Sequence, residues 1–207
     1  MDIADAFAGE PSPETFFLER LPDLHEDRLE LFGSYSETTL RFSIYMTDID
    51  RRFCLELSPD GARAIEGEFI EFPTVTLEGT EENWPLVRDH ARRLFEKGRR
   101  ALNERPPASR VDREFTDDFE RFDGVIDVEL VFEERDEPVS MRLILNDYQP
   151  VPDARQIEVG LSVELLDEVL EGRIDPDEAR ESVTLSGDVG LAFDLSGLLM
   201  EHFPEIE

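Results

Sequence analysis

The chain has 207 residues, 40% of them hydrophobic and 15 of them phenylalanine, which is enough apolar mass for packed cores and excludes a disordered acidic tail. Its 51 Asp and Glu against 21 Lys and Arg leave a formal charge of −30, which argues against nucleic-acid binding because that needs basic patches. The length permits one large domain or two of about 100 residues each.

The carboxylates are spread along the whole chain rather than blocked, and Lys97 is its single lysine. Such a surface is the habit of cytosolic proteins from salt-in halophiles, the haloarchaeal type. At 1 M salt the Debye length is ~3 Å, and neighbouring carboxylates stop repelling one another. The charge then reports an environment; the competing reading is a specific acidic surface for a basic partner. Cys54 is alone, so no internal disulfide is expected. MDIADAFAGE lacks the basic and apolar regions of a secretory signal, and no apolar run approaches the ~18 residues that cross a bilayer. The expected location is cytoplasmic.

Ser12 as N-cap, Pro13 at the first helical position and Glu14 in the first turn predict a helix, with Phe16, Phe17, Leu18, Leu21, Leu24, Leu29 and Leu31 as its apolar side and Pro22 as a kink or break. Leu40, Phe42, Ile44 and Met46 then alternate with polar residues, which predicts a half-buried strand. After a polar turn at Asp48–Arg51, Phe53, Leu55 and Leu57 form the inward face of a second strand, closed by Pro59-Asp60-Gly61. Val75 and Leu77 mark a third strand, followed by a helix from Trp84 to Leu102 with Asn83 as N-cap.

Asn103–Arg113, with two prolines and no apolar period, reads as a linker. The pattern then recurs. A helix (Glu114–Arg121) precedes a strand (Val125–Phe132); a turn at Arg135–Pro138 leads to Val139, Met141, Leu143 and Leu145; Ile157, Val159 and Leu161 form a third strand. Ser162 caps a helix that Gly172 stops. The order helix–strand–turn–strand–loop–strand–helix therefore occurs twice, and an internal duplication is expected, with halves at 1–105 and 114–207. The fold class is α+β, a mainly antiparallel sheet or pair of sheets covered by helices.

The second half continues. Asp175-Pro176-Asp177-Glu178 is a compact helix start, Val183 and Leu185 resume alternation, Gly187-Asp188 makes a turn, and Leu191, Leu195, Leu198 and Leu199 recur at helical spacing. This order over Phe119–Phe203 resembles the sterol-carrier-protein-2-like (SCP2-like) family of small α+β domains that enclose an apolar lipid tunnel. The first half resembles that family only through its strands and the Trp84 helix. A departure lies at Arg180-Glu181-Ser182, where many members carry an aromatic residue and a glycine. The resemblance implies that the sheet's inner face and the last helix line the tunnel. The positions are Ile126, Val128 and Leu130 on one strand, Met141 and Leu143 on the next, Val159 and Leu161 on the third, and Leu191, Phe193, Leu195 and Leu199 on the helix.

Little else points to chemistry. His25, His90 and His202 have no metal-ligand spacing, and His90 reads as a surface residue of an arginine-rich helix. Cys54 points away from the apolar face of its strand and reads as a packed thiol. Asp188 reads as a turn-former. No catalytic residues, metal or cofactor are expected, and the chain is read as a non-enzyme. The expected function is binding, with intracellular transfer, of a lipid or other apolar small molecule, with transient contact at a membrane surface. The alternative is a non-catalytic interaction or accessory module whose tunnel is filled by side chains. Arg88, Arg92, Arg93, Lys97, Arg99 and Arg100 form a helix that either pairs with acidic neighbours or docks an anionic headgroup or an acidic protein partner. Trp84 reads as core.

Overall fold

Alternation in the sequence becomes eight strands: β1 (Leu40–Met46), β2 (Arg51–Ser58), β3 (Gly61–Glu66), β4 (Val75–Gly79), β5 (Gly124–Val131), β6 (Val139–Leu145), β7 (Arg155–Ser162) and β8 (Thr184–Gly187). The structure, a computed structural model, describes residues 2–26, 38–58, 60–93, 113–133, 135–170, 173–174 and 182–202. All eight strands join one sheet in the order β3-β2-β1-β4-β6-β5-β7-β8. The pairs β1–β4 and β5–β7 are parallel; the others are antiparallel. Each half sets its first strand between an antiparallel hairpin partner and a parallel third strand, so β2-β1-β4 and β6-β5-β7 repeat in order and direction. The antiparallel β4–β6 pair joins the two halves edge to edge. The fold is α+β, with a mixed, mainly antiparallel open sheet.

Side chains alternate between the two faces of a strand, so register decides which residues lie together. Phe53 stands opposite Ile44, Ile44 beside Leu77, Leu77 opposite Leu143, and Ile126 between Leu143 and Ile157. These form one continuous apolar face, on which the helices lie. The other face is mixed: it holds a buried cluster of Cys54, Phe69 and Tyr148 together with Ile144 and Val125, and carries cross-strand ion pairs, Arg41–Glu56 at 2.8 Å and Arg142–Asp127 at 2.7 Å. Arg52 stacks there on Tyr45, 4.5 Å from the ring centre.

In the first half helices bury the centre of the apolar face, around Ile44, Met46 and Phe53, while Leu40, Phe42, Leu57 and Leu77 stay half-buried. Ser12 Oγ accepts from the Thr15 N–H at 3.2 Å and starts a helical run that continues through Glu26. Pro22 does not break it. A π turn over Phe16–Arg20 widens the helix just ahead of the proline, where a regular turn would meet the ring and lose the missing N–H. Phe16 and Phe17 pack against Trp84 at 5.3 and 5.2 Å between ring centres, above Ile44, Met46 and Phe53, all buried. Trp84 is core, its Nε1–H donating to the Pro11 carbonyl at 2.8 Å.

Among the described residues, 84–93 are helical; the remainder of the expected helix to Leu102, with Lys97, Arg99 and Arg100, lies outside them. So do Leu29, Leu31, Pro59, positions 103–112 of the expected linker, Gly172 and the Asp175-Pro176 helix start. Asn83 is not a side-chain cap, because its Oδ1 accepts from Arg135. The Asp48 carboxylate instead accepts from the Glu81 and Glu82 N–H groups. His90 is buried rather than exposed, its ring 4.7 Å from that of Phe132. β3 was not expected: GARAIE has little β propensity and forms an edge strand against β2.

One side chain ties the halves together on the mixed face. Tyr148, from the loop between β6 and β7, is buried; its hydroxyl accepts from the Phe69 N–H at 2.9 Å and faces the carbonyls of Phe69 and Glu71 at 3.2 and 3.3 Å. Burial pushes its phenol up to about 12.

Candidate functional site

In the second half the apolar face is not closed in the same way. Its buried side chains fall into two separate groups at opposite ends of the strands. One is Phe132, Val139 and Val163, beside Leu86 and Val87 of the Trp84 helix. The other is Leu145, Ile157 and Leu191, beneath the last helix, Val189–His202. Between them Val128, Leu143 and Leu161 remain only half-buried, as do Ile126 and Val159 toward the last helix and Leu130 and Met141 toward Phe132. The result is an apolar trough across three strands. All seven strand positions expected to line a cavity share this face.

The chain positions the last helix closely over one end of the trough. Gly187 adopts φ +86°, a conformation that L side chains rarely take, and a Cβ there would lie 2.6 Å from the Gln156 carbonyl oxygen. The turn it makes aims Asp188 at Arg155, whose Nε and Nη1 reach Asp188 at 2.8 Å and Asp194 at 2.6 Å. This pairing holds the Asp188 carboxyl below the usual carboxylate range. Asp188 thus forms the expected turn and fastens the helix to β7. Gly124 admits the helix: a Cβ there would stand 2.7 Å from Leu191 Cδ2.

A helix advances 100° per residue, so Leu191, Leu195 and Leu198 form one side of the last helix, and Leu191 and Leu198 are buried. Phe193 is 74% exposed and Leu199 45% exposed. Phe193 lies about 160° around the helix from Leu191 and points away from the sheet, whereas Leu199, about 40° from Leu195, sits at the edge of the inward side and is part-exposed. Nine of the eleven expected lining residues therefore face the sheet or form it. Leu77 belongs with them: it lies opposite Leu143 across the β4–β6 pair. Its alternation was visible, but the neighbour that gives it a role is in the other half of the chain.

Groups with reactive potential are held in structural roles. Cys54 is buried beside Tyr148, and burial pushes its thiol up, away from the nucleophilic thiolate. Arg88, expected on a docking surface, is buried and paired with Asp89 at 3.1 Å and Glu10 at 3.8 Å. Arg93 meets Asp167 at 3.9 Å. Of the arginines in the described part of that helix, Arg88 and Arg93 thus pair within the chain, while Arg92 is exposed. Among the described residues no set of three His, Cys, Asp or Glu converges to hold a metal, and no helix is long and apolar enough to cross a membrane.

No protein-family model and no curated protein matches the chain. Among solved structures, a double mutant of the sec-alkyl sulfatase PisA1 aligns at 15% identity over 33% of this chain, with a TM-score of 0.25. The chain spans 11% of that protein, and a likeness of this size carries no argument about fold or function.

Proposed function

We propose that the second half binds an apolar small molecule, a lipid or comparable hydrocarbon, in the trough between the inner face of β5–β7 and the last helix, in the manner of SCP2-like domains. The observation that carries this reading is the half-buried strip Val128–Leu143–Leu161, flanked by two closed apolar groups. The polar residues at the ends of the trough are committed to one another, so the site offers surface and shape rather than reactive groups. Each methylene removed from water contributes ~0.8 kcal/mol, so a C15–C20 chain gains at most ~12–16 kcal/mol before association and ordering costs reduce it. Delivery of such a ligand would bring the protein transiently to a membrane surface.

The test is native mass spectrometry of protein purified from its own cells at high salt, with organic extraction of an unexchanged sample in parallel. A stoichiometric lipid is expected. Leu143→Glu should abolish uptake, whereas Phe193→Glu, on the outward side of the helix, should retain it; circular dichroism confirms that both remain folded. A clean apo mass with an empty extract overturns the reading in favour of an interaction module with a filled trough.

A further inference from the structure

The last helix carries a second surface, independent of the trough. Phe193 and Met200 are two turns apart, share one side, and are 74% and 52% exposed. Gly197 lies between them, one turn from either, and open space surrounds the position its Cβ would take. Phe193 and Gly197 line a cleft of about 940 Å³, bounded by the last helix, the segment that follows Phe119 and the loop before β7, and Met200 stands at its border. Its apolar lining comes from Phe122, Val151, Pro152, Phe193 and Leu198.

Charge around the cleft is one-sided. Arg155 is engaged by Asp188 and Asp194, and Arg121 by Asp118 at 2.8 Å. Asp123, Asp153 and Glu201 stand exposed on the lining without an ion pair among the described residues. The apolar anchors at i and i+7, a small residue between them and a groove alongside are the elements of helix-in-groove recognition. The geometry points to a docking site for an amphipathic helix of a partner protein, with aliphatic anchors on one side and Lys or Arg flanking them. An anionic lipid headgroup would meet three unpaired carboxylates. A second copy would bring the same acidic rim and a charge of −30.

The probe is a labelled 18-residue peptide of leucine and lysine in an amphipathic helical pattern, with a leucine–glutamate counterpart as control. Anisotropy is read in 1 M KCl, where diffuse attraction to an acidic protein is screened within ~3 Å. Saturable 1:1 binding of the lysine peptide is expected, at least tenfold tighter than the glutamate peptide. The double substitution Phe193→Ser with Met200→Ser should weaken it at least tenfold. So should Gly197→Leu, which fills the open space and leaves the exposed anchors in place. Ile70→Ser, at a fully exposed site elsewhere, should leave binding unchanged. Circular dichroism checks the fold of each variant. Absence of saturable binding, equal binding of the glutamate peptide, or binding retained in both cleft variants overturns the proposal. Self-association, or flotation with zwitterionic phosphatidylcholine vesicles, that the double variant abolishes would overturn it too, by assigning the surface to a second copy or a membrane.

Discussion

Replacing Tyr148 with Phe removes one oxygen and leaves the ring in place, so it isolates the hydrogen bonds that tie the two halves on the mixed face. The ring keeps its contact with Arg52, 5.2 Å away, and no cavity opens beyond the lost oxygen. The buried Phe69 N–H loses its acceptor at 2.9 Å, and the carbonyls of Phe69 and Glu71 lose their shared donor. Stranding a buried donor costs about 1–3 kcal/mol, so a loss of about 2 kcal/mol is expected. For a chain of this size each kcal/mol moves the midpoint by roughly 2–4 °C, giving a fall of about 4–8 °C in Tm. Thermal melts at fixed salt and urea titrations measure it; the urea midpoint should fall with its slope unchanged, and the Phe69 amide should exchange faster. A shift below about 1 °C would refute the reasoning, because the Phe69 N–H would then have water or another group as its acceptor. The wild-type phenol also titrates late, at about 12. Since that exceeds the unfolded value of about 10, stability should be full below pH ~10 and fall as pH rises toward 12, a limb that Tyr148→Phe removes.

Gly124→Ala should push Leu191 and the last helix away from β5, costing about 1–3 kcal/mol, which denaturant unfolding would detect. Asp188 and Asp48 are held below the ordinary carboxylate range, by Arg155 and by the Glu81 N–H respectively. Their contribution is present above pH ~4 and lost as pH falls through the depressed values, so Asp188→Asn should flatten the acid limb of a stability–pH curve below pH ~4. Arg155→Met should leave stability almost unchanged in thermal melts, because the ion pairs it breaks are solvent-exposed. With a charge of −30, Tm should rise steadily from 0.1 to 1 M KCl; a flat or falling curve would remove self-repulsion as a determinant of stability.

Local pattern carried much of this fold. Seven of the eight strands follow from alternation, and the Ser12 and Ser162 helix starts follow from side chains that bond the first free N–H groups. β3 escaped because an edge strand packed on one side tolerates Gly, Ala and charge, and so carries no alternation to read. At Pro22 the expected kink or break takes the form of an irregularity without a break: a π turn at Phe16–Arg20 accommodates the proline and the helical run continues. His90 misled because its arginine neighbours suggested solvent, whereas Phe132, 42 residues later, covers its ring. Phe193 misled because its apolar character was read without the phase of the helix.

The sequence by itself determined the fold class, the element order and which residues of each strand share a face, because these depend on neighbours within a few positions. It also determined the acidic character of the chain. The tertiary structure alone decided that both halves share one sheet, since β4–β6 pairing brings together positions nearly seventy residues apart, such as Val75 and Leu145. It decided as well which parts of that face the helices bury, such as Ile44 and Phe53 beneath the Phe16 and Trp84 side chains, and which stay half-buried, such as Val128 and Leu143. Strand periodicity assigns a side chain to a face, but whether a helix covers it depends on where that helix docks, and docking is set by contacts far apart in the chain.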